Sequence, residues 1–123
     1  MKPSKAIIDE AVETAKLSIC RFRVGAVIYY KGSIEGEGYN QCKTHPRSPH
    51  PWGMIDAEFA AVLDAVRSTS GHSWTSDILK HCGIYVVRLK KDGSFGNAKP
   101  CSFCAKMLYQ VGIDDKDIYF SEG

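Results

Sequence analysis

Apolar residues at Ile7, Ile8, Ala11, Val12, Ala15 and Ile19 recur at three- and four-residue intervals, the spacing of a helix with one dry face, and Ser4 stands where an N-cap belongs. This pattern predicts a helix over residues 4–19. The period then changes. FRVGAVIYY (22–30) is rich in β-branched and aromatic residues, and Lys31-Gly32 can turn it into a partner strand over 33–39. Residues 40–54, NQCKTHPRSPHPWGM, hold three of the five prolines and two of the four histidines and read as a long loop of the kind that carries function. Ile55, Phe59, Val62, Leu63 and Val66 predict a second helix, and 68–82 read mostly as loop. GIYVVRL (83–89) predicts a strand, and 90–100 a loop with a turn signal at Asp92-Gly93. Cys104, Met107, Leu108 and Val111 predict a third helix ended by Gly112, and DIYFS (117–121) a last strand.

The predicted order is α-β-β-α-β-α-β, with no repeat, low-complexity segment or linker, so the expectation is one α/β domain over residues 1–123. Helices between strands imply crossovers, hence parallel later strands in a mixed sheet covered by helices. Four strands are predicted, and a fifth would have to be short.

Composition narrows the function classes. The 123 residues are 44% apolar and 24% charged with a formal net charge of +2, which gives no general drive toward nucleic acid or membrane. No apolar run reaches membrane-spanning length and no secretory signal is visible, so the chain reads as cytoplasmic. Five cysteines, an odd number, argue against a disulfide framework and leave metal binding, redox chemistry or buried thiols.

Two short stretches carry chemistry. In Pro100-Cys101-Ser102-Phe103-Cys104 two cysteines three apart open a helix, so both sulfurs lie on one side, where the positive end of the helix dipole favours thiolates able to hold Zn²⁺. A CxxC alone also fits a redox pair or two core residues. Cys20, Cys42 and Cys82 are scattered, so a closed four-ligand site has no regular spacing behind it, whereas a catalytic zinc needs one more protein ligand, a water and a base. Asp56-Ala57-Glu58 opens the second helix. Residues two apart point about 200° apart around a helix, so this pair converges only on an object beyond the helix N-terminus. Acids at a helix start are also ordinary dipole partners. Two helix starts facing one metal would nevertheless make a coherent electrostatic arrangement.

Together these stretches resemble the H-x-E … P-C-x-x-C signature of zinc nucleobase deaminases. The chain is similar to the cytidine and deoxycytidylate deaminase family over nearly its whole length. FRVGAVI (22–28), GEGYN (36–40), DAEFAAV (56–62) and KPCSFCAKMLYQVGIDDKDIYF (99–120) carry the similarity, the last most closely to deoxycytidylate deaminases. The resemblance implies a three-layer α/β/α fold with a sheet of about five strands. It implies Zn²⁺ held by Cys101 and Cys104, Glu58 as proton shuttle, and Asn40 bonded to the sugar. The Ala57 N–H and Lys99 carbonyl would hold the pyrimidine edge, and Phe22 or Tyr119 would pack on the base. The implied reaction is hydrolytic deamination of a free cytosine nucleotide or nucleoside, dCMP above the others, by a homo-oligomer without a nucleic-acid partner.

One position departs from the family, which places His or Cys where this chain has Asp56. A carboxylate can bind zinc, but with two thiolates it leaves the site at about −1, which weakens the metal as an acid. A compensating cation is therefore expected from Arg88, Arg47, Arg21 or Arg23, with Arg88 favoured because it sits near the end of the strand that leads toward Pro100. Alternatively His45 or His50 replaces Asp56 as ligand, or the protein is an inactive module that binds a nucleotide or a partner. A tRNA or DNA base deaminase is a further alternative. Lys43, Arg47, His45 and His50 lie near Asn40 in sequence and could hold a 5′-phosphate. Gly36-Glu37-Gly38 is no dinucleotide motif, since a loop and not a helix follows it.

Overall fold

The computed structural model describes residues 2–42, 55–70 and 78–123, without the side chains of 69 and 70. Three helices, α1 (Lys5–Ala15), α2 (Ala57–Ser70) and α3 (Ser102–Gln110), accompany five strands: β1 (Arg23–Tyr30), β2 (Ser33–Tyr39), β3 (Gly83–Leu89), β4 (Phe95–Gly96) and β5 (Ile118–Phe120). The sheet runs β2-β1-β3, with both pairs antiparallel, and the far edge of β3 is shared by two short strands. β4 pairs antiparallel with Arg88–Leu89, and β5 pairs parallel with Ile84–Val86, as expected for a strand reached through a helix. No described helix is long and apolar enough to cross a membrane.

Period-two alternation sorts the strands onto two faces. Ile84 and Val86 of β3 and Ala26 and Ile28 of β1 pack with Phe59, Val62 and Leu108 under α2 and α3. Tyr85, Val87, Val27 and Tyr29 pack under α1 with Ile7 and Ala11. The helices approach closely because the sheet offers glycine. A Cβ at Gly38 would run into the backbone of Ala60 and Ala61, and one at Gly25 into the backbone of Ala11 and Ala15. Backbone meets backbone there, so no rotamer change relieves the overlap. Gly38→Ala is expected to destabilise by about 3 kcal/mol, at the upper end for overpacking, and to lower the thermal midpoint by roughly 10 °C. A midpoint shift under 3 °C in thermal unfolding would contradict it.

Three expectations need correction. The first helix stops at Ala15 and not at residue 19. Leu17 N–H and Ser18 N–H bond three residues back, and the Ser18 hydroxyl donates to the Asn40 carbonyl, pulling the chain off the helix axis and leaving Ile19 97% exposed. Residues 90–100 hold a short fifth strand, β4, whose two residues are too few for a periodicity to register. Cys20 and Cys42 are joined as a disulfide, where the odd cysteine count argued against pairing. Cys82 remains a core thiol, pushed up to about 11 by burial.

Glu37 on β2 faces Glu10 of α1 and Asp64 of α2. Burial, a hydrogen bond with Glu10 and the charges of both neighbours push its carboxyl up to about 7. A carboxyl raised above its unfolded value contributes stability that is fully present below about 4.5 and is lost as pH rises through about 7. Glu37→Gln is therefore expected to remove part of the stability loss between pH 5 and pH 8. The gain at pH 8 should be only roughly 2–4 °C, because the site is partly solvated. An identical pH dependence in the two proteins would refute it.

Candidate active site

Asp56 directly precedes α2, and its carbonyl accepts from Ala60 N–H at 3.0 Å, so it caps the helix while Glu58 sits in the first turn. Cys101 stands at the N-cap of α3, its carbonyl accepting from Ala105 N–H at 2.9 Å, and Cys104 follows in the first turn. Both helix starts open into one cleft of about 330 Å³ that Phe22, Asn40, Asp56, Glu58, Cys101 and Cys104 line. One oxygen of Asp56 and the sulfurs of Cys101 and Cys104 lie within 4.8 Å of one another. The objection that residues two apart diverge around a helix is met as geometry requires: the convergence point lies beyond the helix end.

The electrostatics of this cluster correct one expectation. The Cys104 Sγ lies 3.1 Å from Asp56 Oδ2 as a donor, and its thiol is held far above the ordinary range by burial and by the charges of Glu58 and Asp56. Desolvation and two carboxylates outweigh the α3 dipole, which falls off within one turn. A divalent cation among these groups reverses the balance, because it draws off the thiol protons as it binds. A carboxylate oxygen and two sulfurs form a donor set that Zn²⁺ accepts, and three protein donors leave the fourth position of a tetrahedral ion open. The residues present therefore fit a catalytic zinc.

Glu58 is only 6% exposed. Burial pushes its carboxyl up to about 7, with the charge of Asp56 adding to the shift and a backbone hydrogen bond opposing it. A carboxyl buried beside the donor cluster and lining the cleft is placed to take and return protons there.

The cleft walls come from distant segments. Gln41 and Ile55 exchange backbone hydrogen bonds of 2.8 and 3.0 Å, which seats Asp56 beside Asn40. The Asn40 amide donates to the Phe22 carbonyl and accepts from Val24 N–H at 2.9 Å, so one of its two N–H donors remains for a ligand. Ser121 fastens the opposite wall: its hydroxyl accepts from Arg88 N–H at 3.1 Å and donates to the Gly96 carbonyl at 2.7 Å. Asn97 Oδ1 accepts from Lys99 N–H at 2.9 Å, shaping the approach to Pro100. Asn97 and Ala98 both line the cleft and were not singled out from sequence. An Asn two residues before the bonded N–H, in Gly-Asn-Ala-Lys-Pro, is an Asx-turn signal that could have pointed to that loop.

Phe22, Asn40, Ala57, Lys99 and Arg88 lie together with the acidic and sulfur groups. Tyr119 does not. Strand alternation turns Ile118 and Phe120 toward α2 and α3 and packs Tyr119 against the α1-side cluster. Arg23 is also elsewhere, donating to the Lys90 carbonyl at 3.2 Å. Arg88 shares the cleft with Asp56 but makes no ion pair among the described residues, lying instead over the Phe22 ring at 4.3 Å from its centroid. Arg21 reaches the same ring at 5.5 Å. Lys43, His45, Arg47 and His50 lie outside the described residues.

Comparison with solved structures places this geometry in a known fold. The dCMP deaminase of cyanophage S-TIM5, in apo form, superposes with a TM-score of 0.67 at 24% identity, covering 99% of this chain and 86% of that one. Cytidine deaminase from Burkholderia pseudomallei gives 0.63 at 19% identity, over 90% and 78% of the two chains. Guanine deaminase from Bacillus subtilis gives 0.60 at 21% identity, over 98% and 65%. No curated protein sequence matches the chain. At these identities the likeness establishes the fold, a mixed five-stranded sheet with three helices. Residues 1–121 match the cytidine and deoxycytidylate deaminase zinc-binding region, a span that includes both helix starts and every described residue of the cleft, and the chain belongs to that family.

Proposed function

We propose that this chain is a zinc-dependent hydrolytic deaminase of a free cytosine nucleotide or nucleoside, converting dCMP to dUMP with release of ammonia. The observation that carries the reading is the meeting of Asp56, Glu58, Cys101 and Cys104 at two helix N-termini in one cleft. Asp56, Cys101 and Cys104 are the residues that would hold the zinc. When bound, Zn²⁺ supplies an acidified water as nucleophile near neutral pH.

Glu58 takes a proton from the attacking water and returns protons to the ring nitrogen N3 and to the departing amine. Water adds at C4, the C–N bond breaks, and uracil and ammonia result. Ala57, as the first residue of α2, presents a backbone N–H with no partner inside the helix, suited to the pyrimidine O2. The Lys99 carbonyl takes the amine edge, the free N–H of Asn40 the sugar, and Phe22 packs against the base or the sugar. A free nucleotide needs no base flipping, so a cleft of about 330 Å³ suffices. We further take the chain to be a single deaminase-like domain that works as a cytoplasmic homo-oligomer, by analogy with the family.

Metal analysis with deamination assays over cytosine, cytidine, deoxycytidine, dCMP, dCTP, adenosine and guanine tests the reading. The expected result is about one zinc per chain and turnover restricted to cytosine compounds. Zinc present with no turnover on any of them would replace this reading with a nucleotide- or partner-binding module.

A further inference from the structure

The floor of the cleft is acidic, yet one wall carries positive charge that forms no ion pair among the described residues. Arg88 follows Ile84 and Val86 on β3 at two-residue steps, so strand alternation turns its side chain into the cleft. Its Nε is buried and has no hydrogen-bond partner among the described residues. Its guanidinium and that of Arg21 both gather on the Phe22 ring, at 4.3 and 5.5 Å from the centroid. The negative face of the ring attracts both cations but leaves their mutual repulsion and the orphan donor uncompensated. A multiply charged anion beside the ring, met by the outer nitrogens of the guanidinium forks, would relieve that repulsion, while the buried Nε lies out of its reach. The ring is in the right place for one: Phe22 is 51% exposed at the cleft rim, and its carbonyl is bonded by Asn40, the residue assigned to the sugar.

We propose that Arg88, with Arg21 outside it, seats the phosphate of the substrate, and that this pair makes the site select a cytosine nucleotide over the nucleoside. The inference rests on the deaminase reading above and adds the residues that choose the substrate class. It also changes the role expected of Arg88 from sequence. A guanidinium stacked on an aromatic ring is held ready for forked donation to phosphate oxygens, so little freedom is lost on binding. The Arg88 guanidinium lies over the Phe22 ring, at the rim where a phosphate would enter, and makes no ion pair with a described acid.

The test compares kcat/KM for dCMP and for deoxycytidine, with zinc content, in the wild type and in Arg88→Met, Arg88→Lys and Arg21→Met. The wild type should prefer dCMP. Arg88→Met should lower the dCMP-to-deoxycytidine ratio by about 10–100-fold, chiefly through KM, as loss of a charge-assisted hydrogen bond predicts. Arg88→Lys should lose less than Arg88→Met, because it keeps the charge without the planar fork. Arg21→Met, at an exposed position that does not endanger folding, should lower the ratio by about 3–10-fold and carries the comparison if the Arg88 variants misfold. An unmoved ratio overturns the proposal, as does a wild type that handles deoxycytidine as well as dCMP. Equal losses on both substrates with reduced zinc also overturn it and return Arg88 to charge compensation. If the wild type deaminates no cytosine compound, the deaminase reading alone fails. Calorimetric titration with dCMP and deoxycytidine then decides: tighter dCMP binding that Arg88→Met abolishes supports the phosphate seat, and equal binding overturns it.

Discussion

Replacing Glu58 with Gln is expected to lower kcat by about 10²–10⁴-fold while leaving zinc at one ion per chain and the KM for dCMP within a few-fold. Gln fills the same buried space in the first turn of α2 but can neither take the proton from water nor return it to the leaving amine. The three groups proposed to hold the metal, Asp56, Cys101 and Cys104, are untouched, which is why metal content and binding should survive. Single-turnover assays with metal analysis on the same preparation check this. A loss under tenfold would remove Glu58 from proton transfer. Loss of zinc in parallel would show that Glu58 acts on the metal and not on the substrate.

Asp56→Ala is expected to lower zinc affinity by more than about 100-fold, beyond the 10–100-fold typical when only an outer partner of a metal ligand is removed, and to abolish turnover. Asp56→His should keep one zinc per chain. It also removes one negative charge from the ligand set, so the acidic limb of the pH–rate profile should move to lower pH. Competition with a chromogenic chelator measures the affinity, and pH–rate profiles the shift. Full zinc retention by Asp56→Ala would show that Asp56 is no ligand, and His45 and His50 would become the residues to test next.

The elements carrying the site were legible because each buries one face over several residues. Gly83–Leu89 and Ser33–Tyr39 appear with the bounds their apolar and turn signals predict. The helix starts at Asp56 and Cys101 were equally readable, since capping and the first apolar residue are local facts. What misled was also local. Ile19 continues the spacing of α1, but the bond from Ser18 to the Asn40 carbonyl draws the chain away before it is reached. Phe95–Gly96 is too short to register as a strand, yet it forms because β3 offers an unpaired edge there. The α3 dipole suggested an acidic thiol at Cys104, whereas burial beside Glu58 and Asp56 does the opposite.

By itself the sequence determined the donor types, the two helix starts that present them, the mixed α/β order and the departure at Asp56. Periodicity states which face of its own element a residue occupies, so the turn of Arg88 into the cleft and that of Tyr119 toward α1 are both implicit in a two-residue alternation. Only the tertiary structure decided which faces meet. The Gln41–Ile55 pairing, the Asn40 amide on Phe22 and Val24, and the Ser121 hydroxyl between Arg88 and Gly96 join segments far apart in the chain. Such bonds leave no spacing behind, because both partners take their positions from separate elements. They are what brings two acids, two sulfurs and a stacked arginine into one cleft.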